Sequence, residues 1–274
     1  MESFRTLYLG IATPASFVPP AMAALLGLVF GSFLNVCITR LPLHESIQHP
    51  RSHCRNCART LPWFENIPLL SWLLLRGRCR GCKLTISWRY PLVEVSLAAL
   101  WLECYRRFGA TPAGFCAALL CFLLLGLAFT DLELFLLPDA MTLTGLLAGI
   151  MAAFLRGTLR TPMQAIEGAC LGAAILLLIS GAYYLLRRKQ GMGMGDVKLL
   201  AMIGAFLGPA PVLLVFFLGT IATAVAAIAW LVVRRFPGRW NQQPMPYGTF
   251  LSLAGIFSLF WGPRLLAWYL GIFR

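Results

Sequence analysis

Two aspartates, Asp131 and Asp196, and four cysteines, Cys54, Cys57, Cys79 and Cys82, are the residues of this chain best suited to do chemistry. Asp196 stands in the run Gly191-Met192-Gly193-Met194-Gly195-Asp196-Val197-Lys198-Leu199, between the basic cluster Arg187-Arg188-Lys189 and an apolar stretch. Asp131 opens a second polar break, which closes on Pro138-Asp139, and no other aspartate occurs. An ionisable group at the mouth of an apolar span is expensive, so each is by default a candidate functional residue. Two carboxylates held close together cannot both ionise and share one proton. One member can then activate a water while the other protonates a peptide carbonyl and its leaving amine. Their order of action is not fixed by the sequence. The glycines before Asp196 permit positive φ and close approach of another chain, which makes Gly193 and Gly195, with the neighbouring Lys198, supporting residues.

The cysteines predict a different kind of site. Cys54-Arg55-Asn56-Cys57 is followed by twenty-one residues and then Cys79-Arg80-Gly81-Cys82. This spacing is that of a structural zinc site, in which each pair forms a tight turn and four thiolates close a tetrahedron. Gly81 suits such a turn, and Arg51, Arg55, Arg78, Arg80 and Lys83 favour the ionised thiols. His53 is a possible alternative ligand. The zinc would staple a polar segment of fifty residues, 40–89, rather than catalyse.

The histidines narrow the chemistry. All three, His44, His49 and His53, lie in this loop, so a histidine base is missing from the spans. His44 and His49 stand five apart, not the four a zinc-protease helix requires, and Pro50 disfavours helix at His49. A serine–lysine arrangement through Lys198 stays open. So does helix capping by Asp131 and Asp196; for Asp139, which follows Pro138, capping is the expected role. Intramembrane carboxylates would also serve a proton-coupled transporter, and a zinc-stapled assembly factor without catalysis is a third reading.

The elements that carry these residues are membrane helices. The chain has 274 residues, of which 59% are hydrophobic and only 12% charged, with a mean hydropathy of +0.77. Soluble domains carry about twice that charge. We expect an all-α polytopic membrane protein with about eight transmembrane helices, at about 18–39, 90–105, 112–130, 140–156, 165–186, 196–207, 212–233 and 249–271. The helix at 196–207 is too short to cross unaided. The segments divide into a first span (1–39), a cysteine loop (40–89) and a helical core (90–274). The net charge of +13 follows membrane topology rather than nucleic acid. With the N-terminus outside, sixteen Lys and Arg fall in cytoplasmic segments and seven opposite. Asp131, Asp196 and the cysteine loop then share the cytoplasmic face.

Together these motifs resemble the type IV prepilin peptidase family, the GxGD-type intramembrane aspartic proteases. The likeness rests on Gly31-Ser32-Phe33-Leu34-Asn35-Val36 with Arg40-Leu41-Pro42, on the two cysteine pairs around Phe64-Glu65-Asn66-Ile67-Pro68, on Arg89-Tyr90-Pro91-Leu92-Val93-Glu94, and on the two aspartate motifs. It implies that Asp131 and Asp196 are catalytic and that the leader of a prepilin or pseudopilin is cut at the cytoplasmic surface of a bacterial inner membrane. It further implies N-methylation of the new terminus with S-adenosylmethionine, with Gly77 matching a glycine linked to methyl transfer. No site for the methyl donor can be read from the sequence, and the oligomeric state is open. Glu45, Glu65, Glu94 and Glu133 are the local anions that could receive a basic leader. The segment Pro246-Tyr247-Gly248-Thr249-Phe250 departs from the family pattern, which often has proline at the position of Thr249, and its role is open.

Overall fold

Proline and threonine set where the long helices begin. Proline lacks the N–H that a first helical turn leaves unpaired, so it is tolerated there. It opens α1 (Pro20–Arg40), α4 (Pro112–Leu134), α6 (Pro162–Arg187) and α8 (Pro209–Arg234). Thr111 caps α4 by accepting the Gly114 N–H, and Thr161 forms a reciprocal capping box with Gln164 at the start of α6. The remaining helices are α2 (Leu70–Leu74), α3 (Arg89–Phe108), α5 (Asp139–Ala152), α7 (Met194–Leu207) and α9 (Tyr247–Ile272). The computed structural model describes residues 19–54, 56–189, 193–234 and 245–272. Gly191 and Arg55, both invoked above, lie outside them.

The chain is a multi-pass membrane protein, and among the described residues its regular structure is helical apart from two isolated bridges in the cysteine loop. Among the described residues five helices, α1, α4, α6, α8 and α9, are long and apolar enough to span a bilayer. The other three expected crossings differ in kind. α3 has 20 residues, but Arg89, Glu94, Glu103, Arg106 and Arg107 interrupt its apolar run. α5 and α7 have 14 residues each, about 21 Å at 1.5 Å per residue, short of the ~30 Å hydrocarbon thickness.

The short α7 is wrapped by protein. Val197 and every residue from Leu199 to Leu207 are buried, against α5, α6, α8 and α9. Its packing on α6 depends on glycine. A Cβ at Gly168 would strike the Gly204 backbone, and one at Gly172 would come within 2.5 Å of the Leu200 carbonyl oxygen. Small residues let two backbones meet this closely where lipid gives little drive for association. The same device joins α1 to α3, where a Cβ at Gly27 would lie 2.6 Å from Ala98 Cα.

The glycine pairs also fix depth. Gly168 opposes Gly204 and Gly172 opposes Leu200, an antiparallel register that sets Asp196 level with Leu176. α6 then continues to Arg187, about 16 Å further. That overhang carries exposed Leu178, Leu185 and Leu186. Asp196 therefore sits well below the end of its neighbouring helix. α4 is the centre of the bundle: 67% of its apolar window is buried, against 17% for α6 and α8. Leu120, Leu124 and Leu127 of α4 pack in one core with Leu199, Leu200 and Ile203 of α7.

Candidate active site

Asp131 lies in the last turn of α4 and is only 6% exposed. Its Oδ2 accepts the Thr249 backbone N–H at 2.7 Å and faces the Thr249 hydroxyl at 3.1 Å. Thr249 is in the first turn of α9, so Asp131 satisfies an unpaired donor of another helix from 118 residues away. It caps a helix through space, whereas the capping considered from sequence was of its own. The Thr249 hydroxyl has a second acceptor, the Ala128 carbonyl at 3.0 Å. One proton therefore has two destinations.

Asp196 is the third residue of α7, is half-buried, and makes no capping bond, since Gly193 occupies the cap position. It lies within electrostatic reach of Asp131, so the two aspartates are brought together at one end of the bundle. Leu137 and Gly248 pack in the same place. A Cβ on Gly248 would come within 2.9 Å of Leu137 Cδ1 and 3.2 Å of Asp131 Cγ; one on Gly195 would be 3.0 Å from Leu137 Cβ. Gly195 thus serves close approach. The positive φ expected for these glycines does not occur at Gly193 or Gly195, and a Cβ on Gly193 would meet Asp196 only at an ordinary 3.7 Å.

Lys198 Nζ lies 2.7 Å from Asp139 Oδ1, which ties α7 to α5. This ion pair replaces the capping expected of Asp139, whose helix has no side-chain cap. It also engages the amine that a serine–lysine mechanism would need neutral. Tyr247 and Thr249, missed as site residues, come from the 246–250 segment whose role the sequence left open. The Tyr247 hydroxyl pairs with Thr220 of α8 at 3.1 Å and feels the Asp196 charge.

The four cysteines converge. Their Sγ atoms all lie within 4.8 Å of one another, without His53, whose Nδ1 is 3.0 Å from the Arg51 carbonyl oxygen. Cys54 and Cys82 Sγ are 3.7 Å apart, close to the ~3.8 Å edge of a tetrahedron with 2.3 Å metal–sulfur bonds. The two halves repeat one hairpin. Cys54 N–H donates to Arg59 and Ala58 N–H to Cys54; Cys79 N–H donates to Leu84 and Lys83 N–H to Cys79. The positive φ falls at Ala58 and Lys83, one residue after each pair, and not at Gly81.

Backbone donors prepare two of the thiols. The N–H of Cys57, then that of Asn56, lowers Cys54, and the N–H of Leu84, followed by Asn56, lowers Cys82 to about 6. At Cys57 the Arg59 N–H pulls down, but desolvation and the three neighbouring thiols together push it up to about 11. Four thiolates this close need a cation, and the donor set suits one.

Between this loop and the polar ends of α1 and α3 lies a cavity of about 690 Å³. Glu94 lies in its wall and accepts the Leu69 N–H at 2.6 Å; Glu65, held by Arg59 at 2.7 Å, lies there too. Glu133 is paired with Arg89. Three of the four anions considered for leader binding are thus already paired within the chain, Glu65 and Glu94 in the cavity wall and Glu133 at an exposed position. Gly77, with φ +64°, backs onto Trp72 in the cavity wall, where a Cβ would come within 2.9 Å of the indole.

Comparison with known proteins agrees with this geometry. Residues 25–108 match the profile of the Bacterial Peptidase A24 N-terminal domain, and residues 118–228 that of the Type IV leader peptidase family. A prepilin leader peptidase/N-methyltransferase of Myxococcus xanthus is 45% identical over 229 residues, covering 81% of this chain and 67% of its own. The protein of that name from Aeromonas salmonicida is 36% identical, covering 97% and 98%, and one from Burkholderia pseudomallei is 37% identical, covering 88% and 85%. No solved structure matches. With both profiles matched one after the other along the chain and a relative 36% identical over 97% of it, the chain belongs to the type IV leader peptidase family.

Proposed function

We propose that this protein is an intramembrane aspartic endopeptidase that removes the basic leader of prepilins or pseudopilins and then N-methylates the new terminus. The observation that supports the cleavage half is that Asp131 and Asp196 lie within electrostatic reach of one another, while every histidine of the chain falls in the 40–89 loop.

Asp131 is the base and Asp196 the acid. The Thr249 N–H and hydroxyl support a charge on Asp131 Oδ2, which leaves the other oxygen to take a proton from water. The hydroxide so formed adds to the scissile carbonyl carbon, while Asp196 gives its proton to the carbonyl oxygen. When the C–N bond breaks, the proton on Asp131 goes to the leaving amine and Asp196 recovers its own. The Thr249 hydroxyl can follow this cycle. It points to Asp131 when that group is charged and to the Ala128 carbonyl when it is not. Gly195 and Gly248 give an extended substrate strand room beside Leu137.

Cys54, Cys57, Cys79 and Cys82 hold a structural zinc, a reading supported by four thiols at tetrahedral spacing. The ion orders the 40–89 loop for methyl transfer, and the 90–274 core carries the peptidase. S-adenosylmethionine would supply an electrophilic methyl group to the neutral new amine, the carbon–sulfur electron pair returning to sulfur and one N–H proton leaving the methylated nitrogen. The charge asymmetry of the loops supports a cytoplasmic site in the bacterial inner membrane.

Reconstitution with a prepilin and S-adenosylmethionine tests the assignment by mass spectrometry. The expected product lacks the leader and is one methyl group heavier. An intact prepilin would contradict the cleavage reading, and a cleaved but unmethylated product would contradict the second activity.

A further inference from the structure

The outer face of the cysteine loop is apolar where a loop standing in water would be polar. The short helix α2 turns Ser71, Trp72 and Leu75 inward. Ser71 Oγ donates to the Phe64 carbonyl at 2.7 Å, and the Trp72 indole N–H to the Ile86 carbonyl at 3.3 Å. Leu70, Leu73 and Leu74 share the opposite face, at i, i+3 and i+4, and are 49%, 55% and 74% exposed. The Ser71 bond ties the turn at Trp63 and Phe64 to the same helix. Those two rings pack edge to face at 5.9 Å, and Trp63 is 73% exposed. An apolar face of this kind marks an interaction site.

Its depth says what covers it. α1 and α3 run antiparallel: a Cβ on Gly31 would lie 2.6 Å from Glu94 Cα, and Asn35 Nδ2 donates to the Tyr90 carbonyl at 3.1 Å. Glu94 is therefore level with Gly31, about 14 Å before the end of α1 at Arg40. The Glu94 carboxylate accepts the Leu69 N–H at 2.6 Å, and a glutamate side chain is too short to span that height. α2, which starts at the next residue, thus begins below the end of α1. Trp88, 70% exposed and two residues before Tyr90, is level with the last turn of α1. The apolar span of α1 continues past all of them, to Leu43. Arg76, Arg78 and Lys83 are exposed on the segment that follows α2.

We infer that this face is seated in the lipid leaflet on the loop's side, at the boundary between headgroups and acyl chains. The leucines and rings fill the acyl edge, a depth at which tryptophan is favoured, while Arg76, Arg78 and Lys83 meet anionic headgroups. Both ends of the loop run into helices of the bundle, α1 and α3, so the contact is intramolecular in effect and needs no further anchor. Seated so, the loop holds the 690 Å³ cavity, walled in part by Leu69 and Trp72, at the depth of the leaflet. Neither cleavage nor methyl transfer is needed for this contact.

The test is tryptophan fluorescence of the full-length, zinc-loaded protein in nanodiscs of phosphatidylcholine and phosphatidylglycerol. Emission is quenched either by lipids brominated at the shallow end of the acyl chain or by aqueous iodide. Trp63→Phe and Trp88→Phe should each remove emission that the brominated lipids extinguish and iodide leaves. Omitting phosphatidylglycerol should weaken the lipid quenching of that emission. Emission from both residues quenched by iodide alone would put the face in water and overturn the inference. Emission that neither quencher reaches would mean that protein covers the face, such as a second copy of the chain, and would overturn it too. Zinc content is measured for each variant. Should a phenylalanine variant lose the metal, Leu74→Trp adds a reporter on the same face, and its added emission decides by the same criterion.

Discussion

The cysteine loop and the aspartate pair solve the same problem, holding several reactive groups together, by opposite means. Each half of the loop is built by neighbours: a Cys-x-x-Cys turn, a left-handed residue after it, and N–H bonds spanning at most five residues. The aspartate pair is built by strangers. Asp131 comes from α4, Asp196 from α7 and Thr249 from α9, with Leu137 between them. The loop brings four thiols to a spacing that suits an ion; the pair depends on helices whose glycines let them approach. A fault in the loop should therefore stay local, and a fault in the helix packing should reach the peptidase.

That contrast can be broken at either end. The largest effect is expected at Gly248. A side chain there meets both Leu137 and Asp131 Cγ, so Gly248→Val should abolish prepilin cleavage, at least about a hundredfold for a misplaced general base. Donor binding measured by calorimetry should persist. Loss of both would mean that the two regions are not independent.

Zinc removal is the reverse experiment. Chelation should stop methylation and leave most of the cleavage, read on the same product by mass. Acid should act as the chelator does. Cys82 is lowered from 9.0 to about 6, so its contribution to the folded loop is complete above about 9 and is lost as pH falls through about 6. Zinc release followed by metal indicator should therefore steepen near and below that value.

Smaller effects probe the wall around Asp131. Thr249→Val keeps the N–H but removes the hydroxyl, and should lower kcat about tenfold with KM unchanged. Thr249→Ser should restore the rate, and the pH–rate profile should move only in the valine variant. Least is expected of Lys198→Met. Its partner Asp139 is 60% exposed and Lys198 29%, so the pair contributes at most about 1 kcal/mol, and cleavage should change no more than about fivefold. A total loss would give Lys198 a part in the chemistry.

The same contrast explains what was legible in the sequence. The cysteine cluster is written in a spacing of local residues, so the convergence of its four thiols could be read directly. Even so, the left-handed residues were misplaced: glycine at 81 drew attention that belonged to Ala58 and Lys83, which no turn preference marks. The aspartates were legible because an acid is conspicuous among apolar spans. Their surroundings were not. Thr249 looked like an ordinary helix residue, and only its departure from a family pattern hinted at a role. Its hydrogen bond to Asp131 crosses 118 residues, and no local pattern encodes that. The helix count was legible where length and apolarity agree. α3, α5 and α7 were harder, because their burial is supplied by neighbours rather than by their own composition. The 690 Å³ cavity could not be anticipated either, since its lining joins α1, the loop and the start of α3.

Cleavage of a prepilin by purified, reconstituted Asp131→Asn and Asp196→Asn, each against the wild type, tests the central claim most directly. Each variant should lose cleavage by at least about a hundredfold while retaining zinc and S-adenosylmethionine binding. Cleavage by either single variant at the wild-type rate would contradict a shared aspartate pair.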